Sequence, residues 1–197
     1  MTRCLPAFLL FFLSSLSAIA QSDSEKAREQ LQEMKDGVLL VRLFTNDAKI
    51  ATLRHQGEER EAQRASNFQH QENKDIILSF SQVFQFCPVY FFYSEDSEAI
   101  RSRDFDGHIF DAALQPVDGQ ELHGKSIFTA EFSETENLGI EGLIIMDDQL
   151  FPLKSPFPFY QRKHTLLGLI TLTKSKMVHR LNNKLRDTYS LWFPDTF

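Results

Sequence analysis

Three short runs constrain this chain more than anything else in it. Val38–Phe44, Cys87–Tyr93 and Gly142–Met146 are apolar at nearly every position and rich in β-branched and aromatic residues. An alternating strand keeps one face wet, but a run without alternation is buried on both faces, as in a sheet covered by helices. The segment between the first two runs has helical character. A strand, a helical segment and a second buried strand predict a parallel pair joined by a right-handed crossover. Ile127–Phe132 alternates and predicts a further strand with one wet face.

The connection between the first two runs is long. From Ala48 to Phe84 there is no proline and one glycine, Gly57. One unbroken helix over about 47–84 would reach ~55 Å at ~1.5 Å per residue, longer than a small domain is wide. Ile50 and Leu53 at one end, and Ile76, Ile77, Phe80, Val83 and Phe84 at the other, give apolar faces; Arg54 to Glu72 is polar all round. The pattern predicts one long projecting helix, or a helical hairpin broken near Gly57. Thr45-Asn46-Asp47 is placed to cap its start.

Shorter signals fill in the remainder. Ser22-x-x-Glu25 has the form of a capping box and predicts a helix to about Lys35, stopped by Gly37. Ser94 to Arg101 predicts one or two helical turns, and His108–Val117 a short arm between the Asp106-Gly107 and Asp118-Gly119 turns. Asp147-Asp148-Gln149 reads as a turn from Gly142–Met146 into Leu150–Leu153, a hairpin. Pro152, Pro156 and Pro158 mark that arm as a sheet edge. Leu166–Leu172 could add a strand. Thr173 caps a last helix with Met177, Val178, Leu181 and Leu185 on one face and Lys174, Lys176, Arg180, Lys184 and Arg186 on the solvated side. The expectation is a single three-layer α/β domain over 21–197, with a mixed sheet, a β-α-β start and a C-terminal hairpin plus helix.

The first twenty residues predict an export signal. Arg3 is followed by an apolar run from Leu5 to Leu16, about a dozen residues against a bilayer core of ~30 Å, and Ala18 and Ala20 fit a small-x-small cleavage site. The expected mature chain starts at Gln21, lies in the periplasm or outside the cell, and carries no integral membrane segment. Cys4 leaves with the leader, so Cys87 has no cysteine to pair with inside the mature chain. A net charge of −6 gives no electrostatic reason to bind nucleic acid or anionic lipid. No Asn-x-Ser/Thr sequon occurs, which favours a bacterial envelope.

Phe86–Ser94, together with Val38–Phe44, Gly142–Met146 and Pro156–Tyr160, resembles uncharacterised exported proteins of Bacteroidota. That resemblance implies an envelope protein and transfers no site residues. The order of elements is similar to the thioredoxin-like layout. The Cys-x-x-Cys of that family is missing, and Thr45-Asn46-Asp47 stands in its place.

Candidate chemistry is sparse, and no cofactor is implied. Cys87 is the one thiol, a catalytic or redox candidate against the plainer reading of a small residue in a buried strand. Asp104, Asp106 and His108, with Asp111 and His123 downstream, could gather a cation, but neither a calcium-loop nor a zinc spacing is present and a turn with solvated carboxylates is the favoured reading. Asp147 and Asp148 read as turn residues, and His55 and His70 as exposed. The proline-stiffened aromatic segment with Phe151, Phe157, Phe159 and Tyr160 is the candidate partner-binding patch; its plainer reading is an edge laid over the core. These readings lead to a non-enzymatic interaction or structural protein of the envelope, with a protein partner. A redox protein using Cys87 and a binder of small apolar ligands are the alternatives.

Overall fold

The computed structural model describes residues 7–134, 141–164 and 171–194, with side chains from Ser22 onward and Glu134 excepted. Helix α1 (Ala7–Asp36) leads into strand β1 (Val38–Leu43). Helices α2 (Asp47–His55) and α3 (Glu59–Val83) then lead to β2 (Val89–Tyr93). A 3₁₀ turn and the short α4 (Ser97–Arg101) follow. A second 3₁₀ turn (Gly119–Leu122) precedes β3 (Ile127–Glu134), β4 (Glu141–Met146), β5 (Tyr160–Arg162) and α5 (Lys174–Trp192).

The expected α/β class and single mixed sheet are present, with strand order β2-β1-β3-β4-β5. β1 pairs in parallel with both β2 and β3, and β4 runs antiparallel to β3 and β5. The unalternating run of β1 is explained by its position. Leu39, Val41 and Leu43 point into a core built with α1, α3 and α5. Val38 and Leu40 point into a second, smaller core with Phe92, Ile100, Phe105, Ile109 and Leu122. Five of its six residues are fully buried, Arg42 being the exception.

Gly37, at the junction of α1 and β1, is required by a close approach. A Cβ there would lie 2.3 Å from the Ser126 carbonyl oxygen and 2.7 Å from that of Glu33. Val38 donates its backbone N–H to the same Ser126 oxygen at 3.0 Å, which starts the β1–β3 pairing. α1 does not begin at the Ser22 box. It is continuous from Ala7, since neither proline nor glycine interrupts residues 7–36.

The long polar segment is a helical hairpin. Gly57, at φ 80°, breaks it in a conformation that glycine adopts without cost, and α2 packs on α3. Asn46 forms no side-chain cap on α2; it sits at φ 57° and hydrogen-bonds Gln69. Gln69 donates to Asn73 at 3.0 Å, and Asn73 donates to the Phe44 carbonyl at 2.7 Å. The polar middle of α3 is thereby tied to the end of β1. Its lower half, with Ile76, Ile77 and Phe80, packs into the main core and against α5.

The hairpin expected at Asp147 is present but short. β4 pairs with β3, which precedes it, along six residue pairs. The Leu150–Leu153 arm pairs with the end of β4 through a Met146–Pro152 bridge, with Leu153 N–H donating to the Ile145 carbonyl at 3.2 Å and Asp147 N–H to the Phe151 carbonyl at 2.9 Å; β5 takes up the rest of that edge. The prolines explain this, since they remove ladder donors at 152, 156 and 158. Asp147 does form the turn, its Oδ1 accepting from Gln149 and Phe151 N–H at 3.0 and 2.9 Å. The Leu166–Leu172 strand falls mostly outside the described residues. Among the described residues no helix is long and apolar enough to cross a membrane.

Candidate functional site

Because β2-β1-β3 are parallel and the strand order reverses at β1, the first crossover covers one sheet face and the second covers the other. Such a doubly wound start leaves a crevice at the carboxyl ends of the strands that flank the reversal. Here those strands are β1 and β3. On the α3/α5 side of the carboxyl end of β3 there is an open cleft of about 410 Å³. This is at the lower end of the size range of small-molecule sites.

Four elements supply its ionised groups. Lys174 in the first turn of α5 reaches Glu72 of α3 at 2.7 Å. Lys163, just after β5, reaches Glu141 at the start of β4 at 2.5 Å, and His164 Nε2 lies 3.8 Å from the same carboxylate. The hydrogen bond from Lys163 holds the Glu141 carboxyl below its ordinary range; slight desolvation opposes this, and the charges of Lys163, His164 and Lys174 reinforce it. The floor is apolar, made by Phe132, Leu172 and Met177, with the Lys174 ammonium 5.9 Å from the Phe132 ring centre. Thr173 sets the position of Lys174. Its side-chain oxygen accepts from Lys176 N–H at 3.3 Å, capping α5 at the cleft. Behind Gly142 the Tyr160 ring packs closely on the backbone, where a Cβ would meet it at 2.2 Å.

Across the sheet from the cleft, Arg42 of β1 pairs with Glu131 of β3 at 3.0 Å and lies over Phe44, its centre 5.2 Å from the ring. The Arg42 Nε is buried and has no hydrogen-bond partner. This pair couples the two strands at the crevice, on the face opposite the charged cleft.

The residues singled out from sequence lie elsewhere. Cys87 is buried in the main core, and burial pushes its thiol up to about 12, against smaller opposing effects from Lys35 and a backbone hydrogen bond. A thiol in that state has almost no nucleophilic thiolate at neutral pH. His108 Nδ1 is 2.7 Å from Asp96 Oδ1, while Asp104 and Asp106 are exposed; the three do not converge. Asp111 closes a local turn, its Oδ1 accepting from Ala113 and Gln115 N–H. Among the described residues no three His, Cys, Asp or Glu side chains come together as a metal site.

The aromatic patch is corrected by the structure. Phe157 is only 2% exposed and belongs to the main core. Phe159 packs partly buried against that core, and Tyr160 is in β5, its ring over Gly142. Only Phe151, 68% exposed, faces outward, on the rim of a hollow of about 300 Å³ shared with Asp23 and Lys26 of α1. The segment covers the sheet edge because its alternate aromatics turn inward. Lys174 has the sequence setting of the solvated basic face of α5; its partner Glu72 is 102 residues away, so nothing local announces the pair. Arg42 did carry a signal, as a lone charge in an otherwise buried strand that must find a partner.

No family model, characterised protein or solved structure matches the chain. The resemblances to exported Bacteroidota proteins and to thioredoxin-like domains are therefore left as expectations.

Proposed function

We propose that this chain is a non-enzymatic binding protein of the bacterial envelope, exported by its leader, and that it binds small molecules in the cleft at the carboxyl end of β3. The observation that carries the reading is the coincidence of two independent features. The sheet order puts the crevice between β1 and β3 at this end of the sheet, and the cleft adjoins it on the β3 side. The same end gathers side chains from α3, β4, α5 and the segment after β5 around an apolar floor. Two lysines and two glutamates already held in pairs suit recognition better than turnover, since each charge is neutralised by its neighbour. The buried Cys87 argues against the redox alternative.

A thermal-shift screen with small molecules sorted by charge tests this. A ligand at ~100 times its Kd stabilises by about 2.7 kcal/mol, a readable rise in melting temperature. The rise should disappear in Lys174→Ala and persist in Lys176→Ala, which lies outside the cleft. A rise that survives Lys163→Ala and Lys174→Ala alike would move the site elsewhere.

A second reading, a docking module for another protein, is favoured by Phe68, which stands 66% exposed on the polar outer helix α3. Loss of a crosslinked partner in Phe68→Ser, with the cleft variants unaffected, would favour it.

A further inference from the structure

The charge balance of the cleft narrows what it can hold. Its wall carries Glu72 and Glu141 against Lys163 and Lys174, and each acid is matched to a base on a different element. A ligand of one sign that draws one partner out of a pair leaves the other without its counter-charge; the paired side chains are partly exposed, so the loss is modest, but it falls only on singly signed ligands. A ligand carrying both signs can exchange partners and leave every group matched. We propose that the cleft takes a small zwitterion, a molecule with a carboxylate and an ammonium a few bonds apart, with a short apolar side chain seated on Phe132, Leu172 and Met177. This rests on the cleft being the binding site.

The orientation follows from the walls. The first turn of α5, a helix of 19 residues, presents Thr173 and Lys174 to the cleft, and the positive end of the helix dipole favours a carboxylate there. The ammonium then faces Glu141, which the neighbouring cations keep ionised. No covalent step is involved. Selectivity comes from refusing singly charged molecules as much as from attracting the zwitterion.

Titration calorimetry on the full mature chain tests this with five probes: leucine, N-acetyl-leucine, leucine amide, succinate and putrescine. Leucine should bind, with each blocked derivative and each singly signed probe at least tenfold weaker. Lys174→Met and Glu141→Gln should each weaken leucine about tenfold while melting as the wild type does. If N-acetyl-leucine, leucine amide, succinate or putrescine binds as well as leucine, and Lys174→Met abolishes that binding, the zwitterion is overturned and the cleft stands. If none of the five binds, the zwitterion assignment is overturned. If in addition a charge-sorted library moves no cleft residue, the binding reading falls with it.

Discussion

Truncating Phe157 and Phe151 separately distinguishes a core residue from a surface patch within one ten-residue segment. Phe157 is 2% exposed and packs among the residues of the main core, so Phe157→Ala removes a ring and leaves a cavity. Such changes cost about 3–5 kcal/mol. For a domain of this length each kcal/mol lowers the melting temperature by about 2–4 °C, so the expected loss is roughly 10 °C. Phe151 is 68% exposed, and Phe151→Ala should stay within about 0.5 kcal/mol of the wild type. Urea unfolding followed by tryptophan fluorescence provides a second readout, because Trp192 is partly buried against the same core. Equal, small effects of the two substitutions would refute the inward packing of this segment.

Three further outcomes follow from named groups. Cys87 should react with iodoacetamide in the native state about a hundredfold more slowly than in urea, and stability should fall as pH rises from 9 towards 12: the unfolded thiol loses its proton near its ordinary value of 9.0 while the folded one keeps it to about 12. Glu131→Ala strands Arg42, whose Nε already lacks a partner, and should cost about 2 kcal/mol in urea unfolding, more than the double change Arg42→Leu/Glu131→Leu. Glu141 titrates below its ordinary range in the folded protein, so its small stabilising contribution is present above the unfolded carboxyl pKa and is lost as pH falls through the folded value; Lys163→Ala should raise the Glu141 side-chain titration seen by carbon NMR.

Much of the fold could be read from residue pattern. Val38–Phe44 could only be a strand with cover on both faces, and Gly57 was the one point where the long polar segment could turn back. Both signals are local, arising from periodicity and from the conformational freedom of one residue. The pairing of β4 was not local. The Asp147 turn is real, yet prolines downstream removed donors that a long hairpin arm needs; β5 takes up the rest of that edge, and β3 pairs along the other. The cleft was hidden for a related reason. Glu72, Glu141, Lys163 and Lys174 each look like an ordinary surface charge in sequence, and only the strand order and the docking of α5 on α3 bring them to one place. Phe157 and Phe159 misled because a proline-rich aromatic segment has the same composition whether its rings face in or out.

The most direct test of the binding account is a two-dimensional amide spectrum of residues 21–197 recorded with and without saturating leucine. The account predicts shifts confined to Glu72, Ser133, Gly142, Lys163 and Thr173–Lys174, with α2, Phe68 and Phe151 unmoved. Shifts that fall on Phe68 or Phe151 with the cleft silent, or a spectrum that leucine leaves unchanged, would contradict it.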